Sequence, residues 1–178
     1  LLLAGEIIFE QDGGAKDPLS PHKKELPNDQ LKEGKHSGIN INSLTTLTSN
    51  AVYNIRIEGI DQAGNQGVSE EITNITFDEI PPEITIISPE ADSFINSKTL
   101  GLKTNEVLSE AKVVWTWVDG TSDNIGVHES KLVGNQLMDG SYPEVNFDPA
   151  PSLISDARYK VSFYGTDRAG NKASFELG

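Results

Sequence analysis

Asp61-Gln62-Ala63-Gly64-Asn65 returns as Asp167-Arg168-Ala169-Gly170-Asn171, 106 residues further along. Self-similarity at a fixed spacing decides architecture before any local propensity does, and this register extends from the pair without a gap. Tyr53 meets Tyr159, Gly59 meets Gly165, Asn40 meets Asn146 and Gly34 meets Gly140. Gln30-Leu31 meets Gln136-Leu137, Leu26 meets Leu132, and His22 meets His128. Conservative matches fill the intervals: Ile7-Ile8-Phe9 stands against Val113-Val114-Trp115, and Ile55 and Ile57 stand against Val161 and Phe163. A period of 106 is the size of one sandwich domain rather than of a solenoid unit, so the chain reads as independently folding modules in tandem.

The same register sets the boundaries. Pro81-Pro82 stiffens a junction and bars helix across it, which divides the chain into residues 1–79 and 80–178. Leu1 already aligns with Val107, so residues 80–106 have no counterpart in the first module. That module is therefore expected to lack its first two strands. Either the polypeptide continues upstream, which is the plainer reading, or another chain adds them by β-augmentation. The second module stops short of residues matching Thr73 to Asp78.

Composition narrows the function classes. The 178 residues carry 27 acidic and 14 basic side chains, a formal charge of −13, and so acidic a surface repels phosphate backbones. Nucleic acid is thereby excluded as a partner. The chain has no cysteine, which removes disulfide frameworks, thiolate zinc sites and cysteine nucleophiles. No apolar run reaches the roughly 20 residues of a membrane span.

Period-2 alternation with frequent turn residues, and no sustained 3.6-residue periodicity, predicts an all-β fold with almost no helix. In the second module, strands are expected at Ile84–Ile87, Thr99–Lys103, Ala111–Val118, Tyr159–Tyr164 and Ala173–Leu177. Short strands near Lys131–Val133 and Val145–Phe147 fall inside a Gly-, Asn-, Asp- and Pro-rich stretch, Asp119 to Asp156, expected as loops at one end of the sandwich. Trp115, and Phe9 in its place, is the large aromatic that immunoglobulin-type sandwiches bury on their central third strand. Ser155-Asp156-Ala157-Arg158-Tyr159, echoed by Ser49-Asn50-Ala51-Val52-Tyr53, has the form of a tyrosine corner.

The string Tyr-x-Val/Ile-x-Phe/Ile-x-Gly-x-Asp-x-Ala-Gly-Asn, followed by a strand and then Asp78-Glu79-Ile80-Pro81-Pro82-Glu83-Ile84-Thr85-Ile86, resembles the tandem bacterial Ig-like repeats of large secreted adhesins and cell-surface proteins. The resemblance implies tandem Ig-like antiparallel β-sandwiches, the first N-terminally incomplete. It also implies a structural role on a bacterial surface as spacer, stalk, filament subunit or adhesin. The partners expected are neighbouring Ig-like modules, or a surface glycan or protein. The alternative is a glycan- or protein-binding module acting through the loops of residues 119–156. Such repeats are specific for fold and unspecific for function.

Each candidate site has a bland reading beside it. Ala-Gly-Asn supplies residues that tolerate positive φ in a tight turn, and the preceding Asp can accept local amide hydrogens. The functional alternative is calcium, which related surface arrays hold between domains and which takes six to eight oxygens; Asp61, Asp78, Glu79 and Asp167 are the candidate donors. His22 with Asp17, repeated as His128 with Asp123, is the recurring imidazole; one His and one Asp fall short of a zinc site, so a loop hydrogen bond is expected. Glu70 and Glu71 read as solvated strand residues. Trp117 could stack on a sugar, but alternation from Trp115 points it inward. No Lys–Asn pair recurs to suggest an isopeptide. With no nucleophile elbow and no cofactor loop, an enzyme is not expected.

Overall fold

A computed structural model describes residues 1–40, 47–145 and 147–177 of the chain. Among these the fold is all-β, with no α-helix and a single 3-10 turn at Gly134–Leu137. The chain divides into two compact units, Leu1–Glu79 and Ile80–Gly178.

Among the described residues the first unit is one antiparallel sheet. Strands β1 (Leu2–Gly14), β2 (His22–Glu25), β3 (Ala51–Asp61) and β4 (Gln66–Val68) lie in the order β2-β1-β3-β4, and β5 (Ile72–Phe77) also pairs with β3. Alternation puts Ile7 and Phe9 of β1 on the same face as Ala51 and Tyr53 of β3, and with Leu26 these form the buried cluster. Asn74 adopts a positive φ of 61° and bulges β5. As a result both Ile75 and Ile72 face residues of one side of β3, Tyr53 and Ile55.

The second unit has two sheets. Strands β6 (Ile84–Ser88), β7 (Leu100–Thr104) and β10 (Gly140–Val145) lie in the order β10-β7-β6. The other sheet, in the order β12-β11-β8-β9, comprises β8 (Leu108–Gly120), β9 (Val127–Lys131), β11 (Ala157–Asp167) and β12 (Lys172–Leu177). Ile84, Ile86, Leu100 and Leu102 from the first sheet and Val113, Trp115, Val161 and Phe163 from the second fill one shared apolar core, an arrangement consistent with a β-sandwich. Trp115 is 1% exposed.

Two strand expectations shift. The strand sought at Lys131–Val133 runs Val127–Lys131, because its buried face is polar, His128 and Ser130, and leaves no apolar alternation to detect. The strand sought at Val145–Phe147 is Gly140–Val145, with Pro143 inside it; β10 is an edge strand, where proline costs no ladder bond. Asn146 lies outside the described residues.

Candidate functional site

The 106-residue register places one constellation twice. In the first unit Asp17 sits in the β1–β2 connection, His22 opens β2 and Tyr53 lies near the start of β3. Asp17 Oδ2 accepts from His22 Nε2 at 2.5 Å and from the Tyr53 hydroxyl, while Asp17 Oδ1 accepts the Leu19 amide at 3.0 Å. In the second unit Asp123 Oδ2 accepts from His128 Nε2 at 2.6 Å and from the Tyr159 hydroxyl at 2.6 Å, and Oδ1 accepts the Ile125 amide at 2.9 Å. Each phenol oxygen also accepts a backbone amide five residues upstream, Thr48 or Ile154, both at 2.9 Å. The tyrosine corner and the His–Asp pair are thus a single network, and the imidazole stands edge-on to the tyrosine ring at 6.0 Å in both copies.

Electrostatics follow from the donors. Burial pushes the Asp17 carboxyl up, but the bonds from Tyr53 and His22 outweigh it and hold it at about 2. Asp123 is likewise held low, chiefly by His128 and then by Tyr159. Burial together with the facing carboxylate raises both phenols, Tyr53 and Tyr159. Each carboxylate engages internal donors at both oxygens and each imidazole is buried. The geometry therefore braces three chain segments at one end of a sheet.

The candidate calcium donors are placed as follows. Asp61 Oδ1 accepts the amides of Ala63 and Asn65 at 2.8 and 2.9 Å, and Oδ2 accepts Asn65 Nδ2 at 2.9 Å. Asp167 does the same with Gly170, Asn171 and Asn171 Nδ2, at 2.7, 2.8 and 2.8 Å. Asn171 Nδ2 reaches on to the Ile80 carbonyl at 3.4 Å. These bonds lower both carboxyls, first through Asn65 at Asp61; at Asp167 burial opposes the Asn171 bonds and loses. Asp78 Oδ1 accepts the Ser49 hydroxyl, and the Glu79 amide donates to Ser49 Oγ, both at 2.9 Å. Asp61 closes β3, whereas Asp78 follows Phe77, which pairs with Ala51 at the other end of β3. Ten strand residues separate those ends by roughly 30 Å, so Asp61 and Asp78 share no cation.

Two further features of the network lie in the same register. Gly14 and Gly120 have φ of 71° and 83°, opposite Asn50 and Asp156 at 64° and 58°. A Cβ on either glycine would stand 2.2 or 2.3 Å from the carbonyl oxygen of Asn50 or Asp156. The 106-residue offset of the two glycines was the available signal. Next, Gln11 Nε2 donates to the Ala15 carbonyl at 2.5 Å, and Trp117 Nε1 donates to the Thr121 carbonyl at 3.0 Å. Gln11 and Trp117 occupy matching positions, as do Ala15 and Thr121, so an amide and an indole make one and the same bond. Trp117 is half-buried beside Tyr159 in the ladder. No residue identity marks this equivalence.

No family model, no curated protein and no solved structure matches the chain.

Proposed function

We propose that the chain is a pair of tandem Ig-like β-sandwich modules, a structural repeat of an extracellular bacterial surface protein serving as spacer, stalk or filament subunit. The observation that supports this best is the brace made twice in one register, Asp17–His22–Tyr53 and Asp123–His128–Tyr159, in which every member but the half-buried Tyr159 is buried and the carboxylates are bonded internally. Duplication of a load-holding contact suits a serial mechanical element, whereas duplication of a binding or reactive site would leave its groups accessible. The partners of such an element are neighbouring modules of its own kind. Calcium enters as a stiffening ion with Asp61, Asp78, Glu79 and Asp167 as candidate donors, the turn carboxylates Asp61 and Asp167 also accepting their own turn amides. A calorimetric titration that is silent with Ca²⁺ removes the ion.

The test is single-molecule extension of the whole chain. The second unit should resist with a distinct force peak that falls in Asp123→Ala. Extension without a resisting peak would overturn the mechanical role. Saturable binding on a glycan array, lost on substitution within residues 119–156, would move the assignment to a binding module.

A further inference from the structure

The inward face of the first unit's sheet is the mate of a face that the second unit keeps covered. In the second unit Val161 and Phe163 are 4% and 0% exposed beneath the sheet of β6 and β7. On the matching rungs of β3, Ile55 and Ile57 are only half-buried, and beside them on β5 Ile72 and Ile75 are 60% and 40% exposed. The contact surface survives in detail. A Cβ on Gly165 would stand 2.7 Å from Ile84 Cδ1 of β6 and 3.4 Å from Leu108 Cδ1. At the equivalent Gly59 the glycine is retained and Leu2, the mate of Leu108, lies 3.1 Å from that position, but the isoleucine is missing; its nearest other neighbour is the Ala4 carbonyl. At Gly59 the close contacts are two Leu2 methyls, at 3.1 and 3.2 Å, where Gly165 meets Ile84 Cδ1.

We infer that this face receives an antiparallel strand pair of the β6–β7 kind, as the equivalent face of the second unit does. Its apolar side chains alternate as Ile84, Ile86, Leu100 and Leu102 do, and one isoleucine packs over Gly59 beside Leu2. Burying Ile72 and Ile75 removes the exposed apolar surface that makes such a sheet face adhesive.

The absence of cysteine makes a direct test simple. Ile72→Cys or Ile57→Cys introduces the sole thiol of the chain, whose labelling rate reports cover. Placing a second copy of residues 80–106 directly ahead of Leu1 should slow labelling at least about tenfold, as protection by a packed element does. The same extension carrying Asp at the positions of Ile84 and Leu102 should leave labelling fast, which separates specific seating from mere bulk. Unchanged labelling with the intact extension overturns the proposal. So does labelling of the unextended chain that slows as its concentration rises, since a second copy would then be the occupant. Circular dichroism of each variant confirms that the sheet persists.

Discussion

Tyr53 in the first unit and Phe163 in the second are equally inaccessible, at 1% and 0% exposed, yet they are buried by different means. Phe163 lies between two sheets. Tyr53 lies on the one sheet that the described residues of the first unit form, held by Asp17 and the Thr48 amide and edged by Phe9 at 6.4 Å. Toward the other end of β3, where nothing comparable to β6 or β7 is present among the described residues, Ile55 and Ile57 lose the cover that Val161 and Phe163 enjoy. Among the described residues the polar brace is therefore local to β1, β2 and β3 and forms without a second sheet, whereas completion of the apolar core is the second sheet's contribution.

The largest test of that contrast is Trp115→Ala, expected to destabilise the second unit by about 3–5 kcal/mol. Phe9→Ala should sit at the low end of that range, because a half-covered core collapses more easily around a cavity. Urea unfolding followed by circular dichroism measures both, and equal losses would break the distinction. Trp115 also buries an indole N–H with no acceptor among the described residues, so Trp115→Phe, the first unit's solution, should cost far less than alanine.

Cutting the brace comes next. Asp17→Ala leaves the Tyr53 hydroxyl and His22 Nε2 without their shared buried acceptor and should cost about 3 kcal/mol. Asp123→Ala should cost slightly less, because His128 is 8% exposed against 2% for His22. A larger loss at Asp123 would mean that the brace depends on the second sheet after all. Gly120→Ala and Gly14→Ala should each cost about 1–3 kcal/mol, since both demand positive φ and admit no Cβ; matching values would show that the two corners are energetically one motif.

Acid titrates the same contact. Asp17 is depressed in the folded state to about 2, below its ordinary value near 4, so the native state holds its proton less tightly than the unfolded chain does. The stabilisation is fully present above about pH 4 and is lost as pH falls through about 2. The thermal midpoint of the first unit should drop across that window, and Asp17→Asn should flatten the profile. Smallest is Trp117→Phe, which removes the bond to Thr121 and should cost about 1 kcal/mol; Gln11→Ala should cost more, because it also removes the bond to Gly13 and the acceptor of the Asp17 amide.

Much of this was legible in the sequence because it depended on identity at fixed spacing. The Asp-x-Ala-Gly-Asn turns, the buried Trp115, both tyrosine corners and the His–Asp pairs all came from the repeat or from alternation. That the corner and the pair share one carboxylate was not legible: Asp17 and Tyr53 are 36 residues apart and nothing in spacing joins them. β9 escaped because its inward residues, His128 and Ser130, are polar, and β10 because Pro143 reads as a break. The register pairs Gln11 with Trp117, but their common bond escaped because unlike residues met one need, a donor for a loop carbonyl.

The brace fastens a loop, an edge strand and a central strand at a position where many secreted domains would install a covalent crosslink. A fastening made of shared protons has no redox chemistry, so thiol reductants leave it untouched. Strong acid releases it and neutralisation restores it, which makes the fastening reversible without any enzyme.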